Sequence, residues 1–168
     1  YEAWFDSQGL THSPTAFSNR SDYAAFTAVG IPAGGLFTGA EGIKTEELRQ
    51  WGATVVIASV TNTEAVRSAI DDVEVVHHLA AAFRELDVPN TYYEEINVGG
   101  TRNVLELARA AGVRRFVYCS TCGVHGNVAN PPADEDAPIT PADYYQQTKY
   151  EAEPLVKSFE SDTMKTVI

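Results

Sequence analysis

The chain has 168 residues, with 12 Lys or Arg, 23 Asp or Glu and a formal net charge of -11. This length suits one ordinary domain, and the acidic balance argues against a nucleic-acid or membrane surface, which requires clustered cations. No apolar run approaches the roughly 20 residues of a membrane span, and no signal peptide is recognisable. Two cysteines, Cys119 and Cys122, are too few for a disulfide scaffold. We therefore expect a soluble, cytoplasmic α/β protein.

Short β-branched runs alternate with amphipathic stretches from about residue 45 onward. The pattern predicts strands over 54–59, 74–80, 114–120 and 165–168, and helices over 62–72, 92–111 and 143–159. Pro154 is expected to kink or end the last helix. His77 and His78 lie on opposite faces of the second predicted strand, so one should face the core. This alternation indicates a parallel sheet that binds ligands at the carboxyl ends of its strands.

Tyr145 and Lys149 lie four residues apart on the last predicted helix, which places both side chains on one face. A lysine ammonium there would lower the pKa of the phenol and make the tyrosine a usable general acid or base. Ser120 and Thr121 follow the third predicted strand, where a hydroxyl could contact a substrate oxygen. The spacing alone also fits an ordinary exposed helical pair, but the strand–hydroxyl–loop–helix context favours a catalytic site.

Four motifs occur in the order seen in extended short-chain dehydrogenases/reductases: HLAA at 78–81, NVGGTRNVL at 97–105, RRFVYCST at 114–121 and YYQQTK at 144–149. Over residues 47–168 the chain resembles the NAD-dependent epimerase/dehydratase group of that family, which includes dihydroflavonol and hydroxysteroid reductases. The resemblance implies a Rossmann-like fold. It also implies oxidoreduction or epimerisation of a small molecule at a hydroxyl or carbonyl group, with NAD or NADP as cofactor.

The resemblance assigns roles to particular residues. Thr121 would be the catalytic hydroxyl with Ser120 beside it, Tyr145 the acid/base, and Lys149 the residue that holds the nicotinamide ribose and tunes the tyrosine. Further cofactor contacts are implied for Leu79, Ala80, Ala81 and Asn97, and Asn97 would also brace the active-site strand.

The family's first strand and its glycine-rich phosphate turn should precede residue 54, and nothing upstream matches them well. Ala58 and Ser59 stand where the family usually has Gly-Asp. Gly39 and Gly42 have part of the spacing of the turn, so they either replace it or keep another role as close-packed backbone. We therefore expect a partial Rossmann-like sheet lacking its first strand and glycine-rich turn, with weak or absent activity.

The first part of the chain resembles a different family. SNRSDY at 18–23 and GIPAGGLFTGAEG at 30–42 are similar to segments of secreted bacterial double-zinc aminopeptidases. The resemblance covers residues 1–46 and implies that Arg20 contacts substrate. A zinc site needs several converging ligands, and His12 alone cannot form one, so zinc is not expected.

The predicted organisation is thus a hybrid. Residues 1–46 form a peptidase-like α/β segment and residues 47–168 a truncated NAD(P)-binding domain, joined by an artefact, a genomic rearrangement or design. Two alternatives to a dehydrogenase remain open: a fragment of a zinc aminopeptidase, and a non-catalytic fragment or subunit completed by a partner. Exposed sheet edges left by missing strands would favour pairing, so a homo-oligomer would favour the second alternative.

Overall fold

A computed structural model describes residues 6–9, 45–83, 87–129 and 131–168. The chain divides into two compact units, Tyr1–Val55 and Val56–Ile168. Helix α1 (Thr45–Gln50) belongs to the first unit. It ends at Gly52, whose φ of 85° lies in the left-handed region that favours glycine and whose N–H donates to Arg49 O at 2.9 Å. Other predictions for the first 44 residues, including Arg20, His12, Gly39 and Gly42, lie outside the described residues.

The second unit contains most of the predicted elements, with slightly different ends. Its helices are α2 (Thr63–Ala69), α3 (Asn90–Tyr93), α4 (Thr101–Ala110) and α5 (Tyr144–Ser158), and its strands are β1 (Val75–His78), β2 (Arg115–Tyr118) and β3 (Lys165–Val167). A π-helical segment (Glu94–Gly100) joins α3 to α4 without a break, and a 3-10 helix (Cys122–His125) follows β2.

The three strands form a parallel sheet in the order β1-β2-β3. Val76 pairs with Phe116 and His78 with Tyr118, so equivalent side chains of neighbouring strands lie on the same face. This arrangement confirms the predicted α/β class with a parallel sheet. Since all three strands run in one direction, their carboxyl ends meet at one edge.

One face of the sheet packs against helices α4 and α5. The alternating burial of β1 and β2 directs their second and fourth side chains to this face, and burial of each large apolar side chain contributes about 1.5–3 kcal/mol. The buried side chains that meet here include Val76, Phe116 and Tyr118 from the sheet, Val104, Leu105, Leu107 and Ala108 from α4, and Ala152 and Val156 from α5. Val75 and Val167, on alternate positions of the outer strands, are exposed.

The turn before α2 packs closely on the long helix, which consists of α3, the π-helical segment and α4. Gly100 lies so near the Val60 side chain that a Cβ at this position would overlap it. Asn103 donates to Val60 O at 2.7 Å and accepts from the Thr63 hydroxyl at 3.1 Å. Asn62 caps α2 by accepting from Ala65 N.

The prediction of a strand over residues 54–59 is wrong. These residues form no strand, and Val56 and Ile57 have exposed fractions of 44% and 74%. β-branched composition favours a pleated surface, but a strand is stable only when its backbone groups pair with a neighbour. Within the described residues the strand pairs are β1 with β2 and β2 with β3, so the run at 54–59 has no partner strand.

The helix predicted over 143–159 is present, and of the two effects considered for Pro154 the early stop does not occur. Helix α5 continues to Ser158 with the proline inside it. Its start is set by Asp143, whose carboxylate accepts from Gln146 N at 2.8 Å. Beyond the proline, Val156 is fully buried in the core, and this packing compensates for the backbone hydrogen bond that proline cannot make.

Candidate active site

Two segments adjoin at the carboxyl edge of the sheet. Cys119 N donates to His78 O at 3.1 Å, which joins the end of β2 to the end of β1. Leu79 and Ala80 follow β1 and are exposed, whereas Ala81 is half-buried. The residues that the family resemblance assigns to cofactor binding therefore lie where parallel sheets bind their ligands.

The structure brings Thr121 and Tyr145 together. The threonine hydroxyl acts on the tyrosine phenol and favours a lower pKa for it. The Thr121 oxygen also accepts from Gly123 N at 3.1 Å, which leaves its O–H free to donate to the phenol. Phe83 contacts Tyr145 edge-on, with ring centroids 4.7 Å apart. The phenol is thus oriented by a hydroxyl and by an aromatic ring.

The pKa of Tyr145 is raised, which corrects the prediction that Lys149 lowers it. Partial burial is the largest cause, followed by the nearby Cys119 thiol and the Asp143 carboxylate, and the hydrogen bond with Thr121 acts in the opposite direction. Lys149 is not among the groups that shift this pKa. The spacing of four residues is as predicted, but the lysine side chain is occupied elsewhere.

Lys149 packs on the ring of Tyr118. It is 2% exposed, and its ammonium nitrogen lies 4.1 Å from the ring centroid. The Tyr118 hydroxyl donates to the backbone oxygen of Lys149 at 3.2 Å. Burial lowers the pKa of the ammonium to about 8, while Cys119 and Glu153 act to raise it. The group therefore remains mainly charged at neutral pH.

The two predicted hydroxyl residues have different partners. Ser120 donates to Glu153 Oε1 at 2.6 Å, whereas Thr121 interacts with Tyr145. Glu153 lies on α5, one turn beyond Lys149. Of the two hydroxyls, Thr121 is the one directed to the phenol.

Asn97 connects the segment after β1 with helix α5. Its Oδ1 accepts from Ala82 N at 2.7 Å, and its Nδ2 donates to Ala82 O at 3.2 Å and to Thr148 Oγ1 at 3.0 Å. The Thr148 hydroxyl in turn donates to Tyr145 O at 3.0 Å. Asn97 thus supports the turn that carries Tyr145, and these contacts are with α5 and the β1 segment rather than with β2.

His78 lies beneath the edge in a neutral form. The Thr101 hydroxyl donates to Asn97 O at 2.6 Å, so the 2.9 Å contact between Thr101 Oγ1 and His78 Nε2 has the histidine as donor. Burial and the nearby Lys149 charge lower the pKa of His78 to about 4. Of the two histidines, His78 is the one facing the core.

Sequence reasoning missed Tyr118, Glu153 and Phe83. For two of them, the local sequence pattern contains a signal that could have identified them. Alternation along the third predicted strand places Tyr118 on the same face as Phe116, and Glu153 follows Lys149 by four residues on one helix. No local pattern indicates Phe83, because its contact with Tyr145 joins residues 62 positions apart (145 - 83).

The described part of the chain contains neither a metal-binding cluster nor a membrane-spanning helix. No three or more His, Cys, Asp or Glu side chains group there as a metal site would require. Among the same residues, no helix combines the length and apolarity needed to cross a membrane.

Solved structures of known proteins share this fold. A short-chain dehydrogenase/reductase superfamily protein from Agrobacterium tumefaciens with bound NAD is 34% identical with a TM-score of 0.64, over 74% of this chain and 43% of that one. The Bordetella bronchiseptica enzyme WbmG in complex with NAD is 30% identical with a TM-score of 0.59, over 68% of this chain and 37% of that one.

Curated relatives fall into two groups. Leucine aminopeptidase 2 of Arthroderma otae, a fungal rather than a bacterial protein, is 45% identical over 74 residues, which are 44% of this chain and 15% of that protein. An N-acetyl-alpha-D-glucosaminyl-diphospho-ditrans,octacis-undecaprenol 4-epimerase of Escherichia coli O157:H7 is 34% identical over 104 residues, which are 61% of this chain and 31% of that protein. The chain thus spans less than a third of the length of either relative.

The match to a family model is more extensive. Residues 40–167 match the model of the 3-beta hydroxysteroid dehydrogenase/isomerase family. This region includes the sheet, the long helix and the paired Thr121 and Tyr145 side chains. The chain therefore belongs to the 3-beta hydroxysteroid dehydrogenase/isomerase family.

Proposed function

We propose that residues 47–168 form an NAD(P)-dependent oxidoreductase or epimerase site for a hydroxyl or carbonyl group of a small molecule. The observation that carries the proposal is that the Thr121 hydroxyl and the Tyr145 phenol interact at the carboxyl edge of the sheet. Family membership supports it, as do the NAD-bound relatives. In this proposal Tyr145 is the proton donor or acceptor and Thr121 its hydroxyl partner.

The described residues fit the nicotinamide ribose half of the cofactor. Lys149 offers a charged, buried ammonium with three N–H donors, and the contact recorded for it is an aromatic face, which accepts no conventional hydrogen bond. The ribose hydroxyls of the cofactor would supply acceptor oxygens for these N–H donors. The exposed Leu79 and Ala80 would line the cofactor. A bound nicotinamide cofactor supplies or accepts the hydride.

Reduction of a carbonyl group uses the protonated form of Tyr145, which is the form present at neutral pH. Because its pKa is raised, Tyr145 is protonated and can donate its phenolic proton to the substrate oxygen as hydride reaches the carbonyl carbon. The C=O double bond becomes a C–O single bond and the tyrosine becomes a phenolate. Thr121 then stabilises the phenolate by donating its hydrogen bond.

Oxidation of a hydroxyl group requires the same phenol to be deprotonated first. Tyr145 must then accept the hydroxyl proton as hydride leaves the substrate carbon. Since the pKa of Tyr145 lies above its usual value, the oxidation rate should increase with pH above neutrality. The hydrogen bond from Thr121 partly offsets the raised pKa, because it favours the phenolate.

Calorimetric titration of NAD⁺ and NADP⁺ into the full chain tests the proposal. We expect saturable binding by one of the two and at least about a tenfold loss of affinity in Lys149→Ala, since a charge-assisted hydrogen bond contributes about 1.5–3 kcal/mol. Lys157→Ala is the matched control, because Lys157 is exposed on the same helix. Absence of binding to a cooperatively folded chain would contradict the proposal.

The level of activity remains a separate prediction. Gly39 and Gly42 lie outside the described residues, and the proposal that they hold the pyrophosphate rests on their spacing. Gly42→Val should weaken NAD⁺ binding if they do so. Unchanged binding would favour the other role, as close-packed backbone. Turnover of a standard dehydrogenase substrate at ordinary enzymatic rates, about 1–10³ s⁻¹, would contradict the expectation that the chain is weakly active or inactive.

A second candidate function concerns residues 1–46. The identity with leucine aminopeptidases supports the proposal that this segment derives from a zinc peptidase, with Arg20 as a substrate contact. Its residues 10–44 lie outside the described part. Zinc analysis of the purified chain with an aminoacyl chromogenic substrate tests this proposal. We expect neither stoichiometric zinc nor hydrolysis, and the presence of both would make the chain a peptidase.

We also propose that the chain takes a small-molecule substrate, works in the cytoplasm and self-associates. Val75 and Val167 leave apolar area exposed on the outer strands, which favours association. Light scattering after size-exclusion chromatography should show a homo-oligomer. A cooperatively folded monomer that binds no nucleotide would favour the third alternative, a non-catalytic fragment.

A further inference from the structure

Tyr118 is buried and contacts both His78 and Lys149. Its ring centroid is 5.9 Å from that of His78, with the rings 29° apart, and 4.1 Å from the Lys149 ammonium nitrogen. Its hydroxyl donates to the Lys149 backbone oxygen at 3.2 Å. The three side chains are 2–4% exposed. One side chain thus contacts both the backbone and the charge of the lysine.

We propose that Tyr118 is a positioning residue whose ring holds the Lys149 ammonium charged at the cofactor edge of the sheet. This inference rests on the proposed function of Lys149. It adds a residue for which neither the motif pattern nor the resemblance provides a role.

The physical argument begins with the cost of burying a charge. An ammonium removed from water is strongly destabilised unless a group of opposite polarity faces it. The negative face of an aromatic ring is such a group. The Tyr118 hydroxyl donates to the backbone oxygen of Lys149, whereas the ring is the part of Tyr118 that faces the ammonium.

Other charged and titratable groups around Lys149 come from each element packed against it. Glu153 on α5 and Cys119 after β2 both favour the charged ammonium. His78 on β1 is neutral near pH 7, so it adds no second positive charge. The ring of Tyr118 is the group in direct contact, at 4.1 Å.

The experiment measures the pKa of Lys149 from the pH dependence of its 13Cε chemical shift in the full chain without cofactor. Lys149→Arg assigns the signal. Tyr118→Phe keeps the ring and removes the hydroxyl, and fluorinated phenylalanine at position 118 then keeps the shape but weakens the negative face of the ring. We expect Tyr118→Phe to leave the pKa nearly unchanged and the fluorinated ring to lower it by about one unit.

Phe116→Leu is the control for a general effect of core packing. Phe116 lies on the same face of β2 and contacts His78 at 5.8 Å between centroids. It should lower the unfolding temperature without moving the pKa of Lys149. Because phenylalanine and its fluorinated forms are nearly isosteric with tyrosine, these variants should fold.

The outcomes separate this inference from the proposed function. A pKa that does not change on fluorination overturns the positioning role, even if the chain binds NAD⁺. A pKa that falls with fluorination supports the role, even if the chain binds no NAD⁺. An equal fall in Phe116→Leu would also overturn it, because the effect would then be general loosening of the core.

Discussion

Two layers of the site differ in burial and in what holds them. The column (His78, Tyr118 and Lys149) is buried on one face of the sheet, and its contacts follow from the alternation of β1 and β2. The rim (Thr121 and Tyr145) is half-buried and depends on the loop after β2 and the first turn of α5. We therefore expect the column to affect mainly stability and charge, and the rim to carry the proton transfer of the proposed function.

The largest expected effect is a loss of turnover that is specific to Tyr145 in the rim. Tyr145→Phe removes the proton donor, so the residual turnover of the weakly active chain should fall by about 10²–10⁴-fold, the usual contribution of general acid–base catalysis. Stability should change little, because the ring remains. Tyr144→Phe is the control, since the Tyr144 hydroxyl donates to Glu94 instead. Steady-state assays with both variants check this, and equal losses would remove the special role of Tyr145.

The column should make stability depend on pH. Because the pKa of His78 falls from 6.5 to about 4 on folding, the unfolded chain binds the proton more readily. Its stabilising contribution is complete above pH 6.5 and is lost as the pH falls towards 4. The loss amounts to about 3 kcal/mol.

Urea unfolding between pH 7.5 and 4 measures this loss. His78→Gln, which cannot titrate, should have a flatter profile than the wild type. His77→Gln is the matched control, since His77 is the exposed neighbour on the same strand. If His78→Gln and His77→Gln follow the same profile, the assignment of the pH dependence to the column is wrong.

Asn97 connects the two layers, and its removal should affect both. Asn97→Ala leaves Ala82 without two hydrogen bonds and Thr148 without one, and should destabilise the chain by about 2–3 kcal/mol. Asn103→Ala loses two hydrogen bonds at a half-buried position and should cost about 1 kcal/mol. Chemical denaturation measures the free energy of unfolding of both variants. An equal loss would show that the Asn97 hydrogen bonds contribute no more to stability than those of Asn103.

The smallest expected effect distinguishes the two hydroxyls. Ser120→Ala breaks the hydrogen bond to Glu153 and should reduce stability by about 1 kcal/mol with little change in turnover. Thr121→Ala should reduce turnover more than stability, because it removes the partner of the phenol. Parallel assays and melting curves check this, and the reverse result would move the catalytic hydroxyl to Ser120.

Local pattern in the sequence predicted most of the described fold. Strands β1, β2 and β3 and helices α2, α4 and α5 follow from alternation, helical periodicity and caps such as Asn62, because these signals act between residues a few positions apart. The run at 54–59 has the same composition as a strand and yet forms none. Composition describes a preference, and pairing requires a partner that local sequence does not specify.

The candidate site divides in the same way. The sequence by itself determined that Tyr145 and Lys149 share a helical face and that hydroxyls follow β2, since both depend on short-range geometry. Tertiary structure alone decided that Lys149 packs on Tyr118 and that Asn97 reaches Ala82 and Thr148, 15 and 51 residues away. These contacts depend on how the helices pack on the sheet, and local propensity carries no information about that packing.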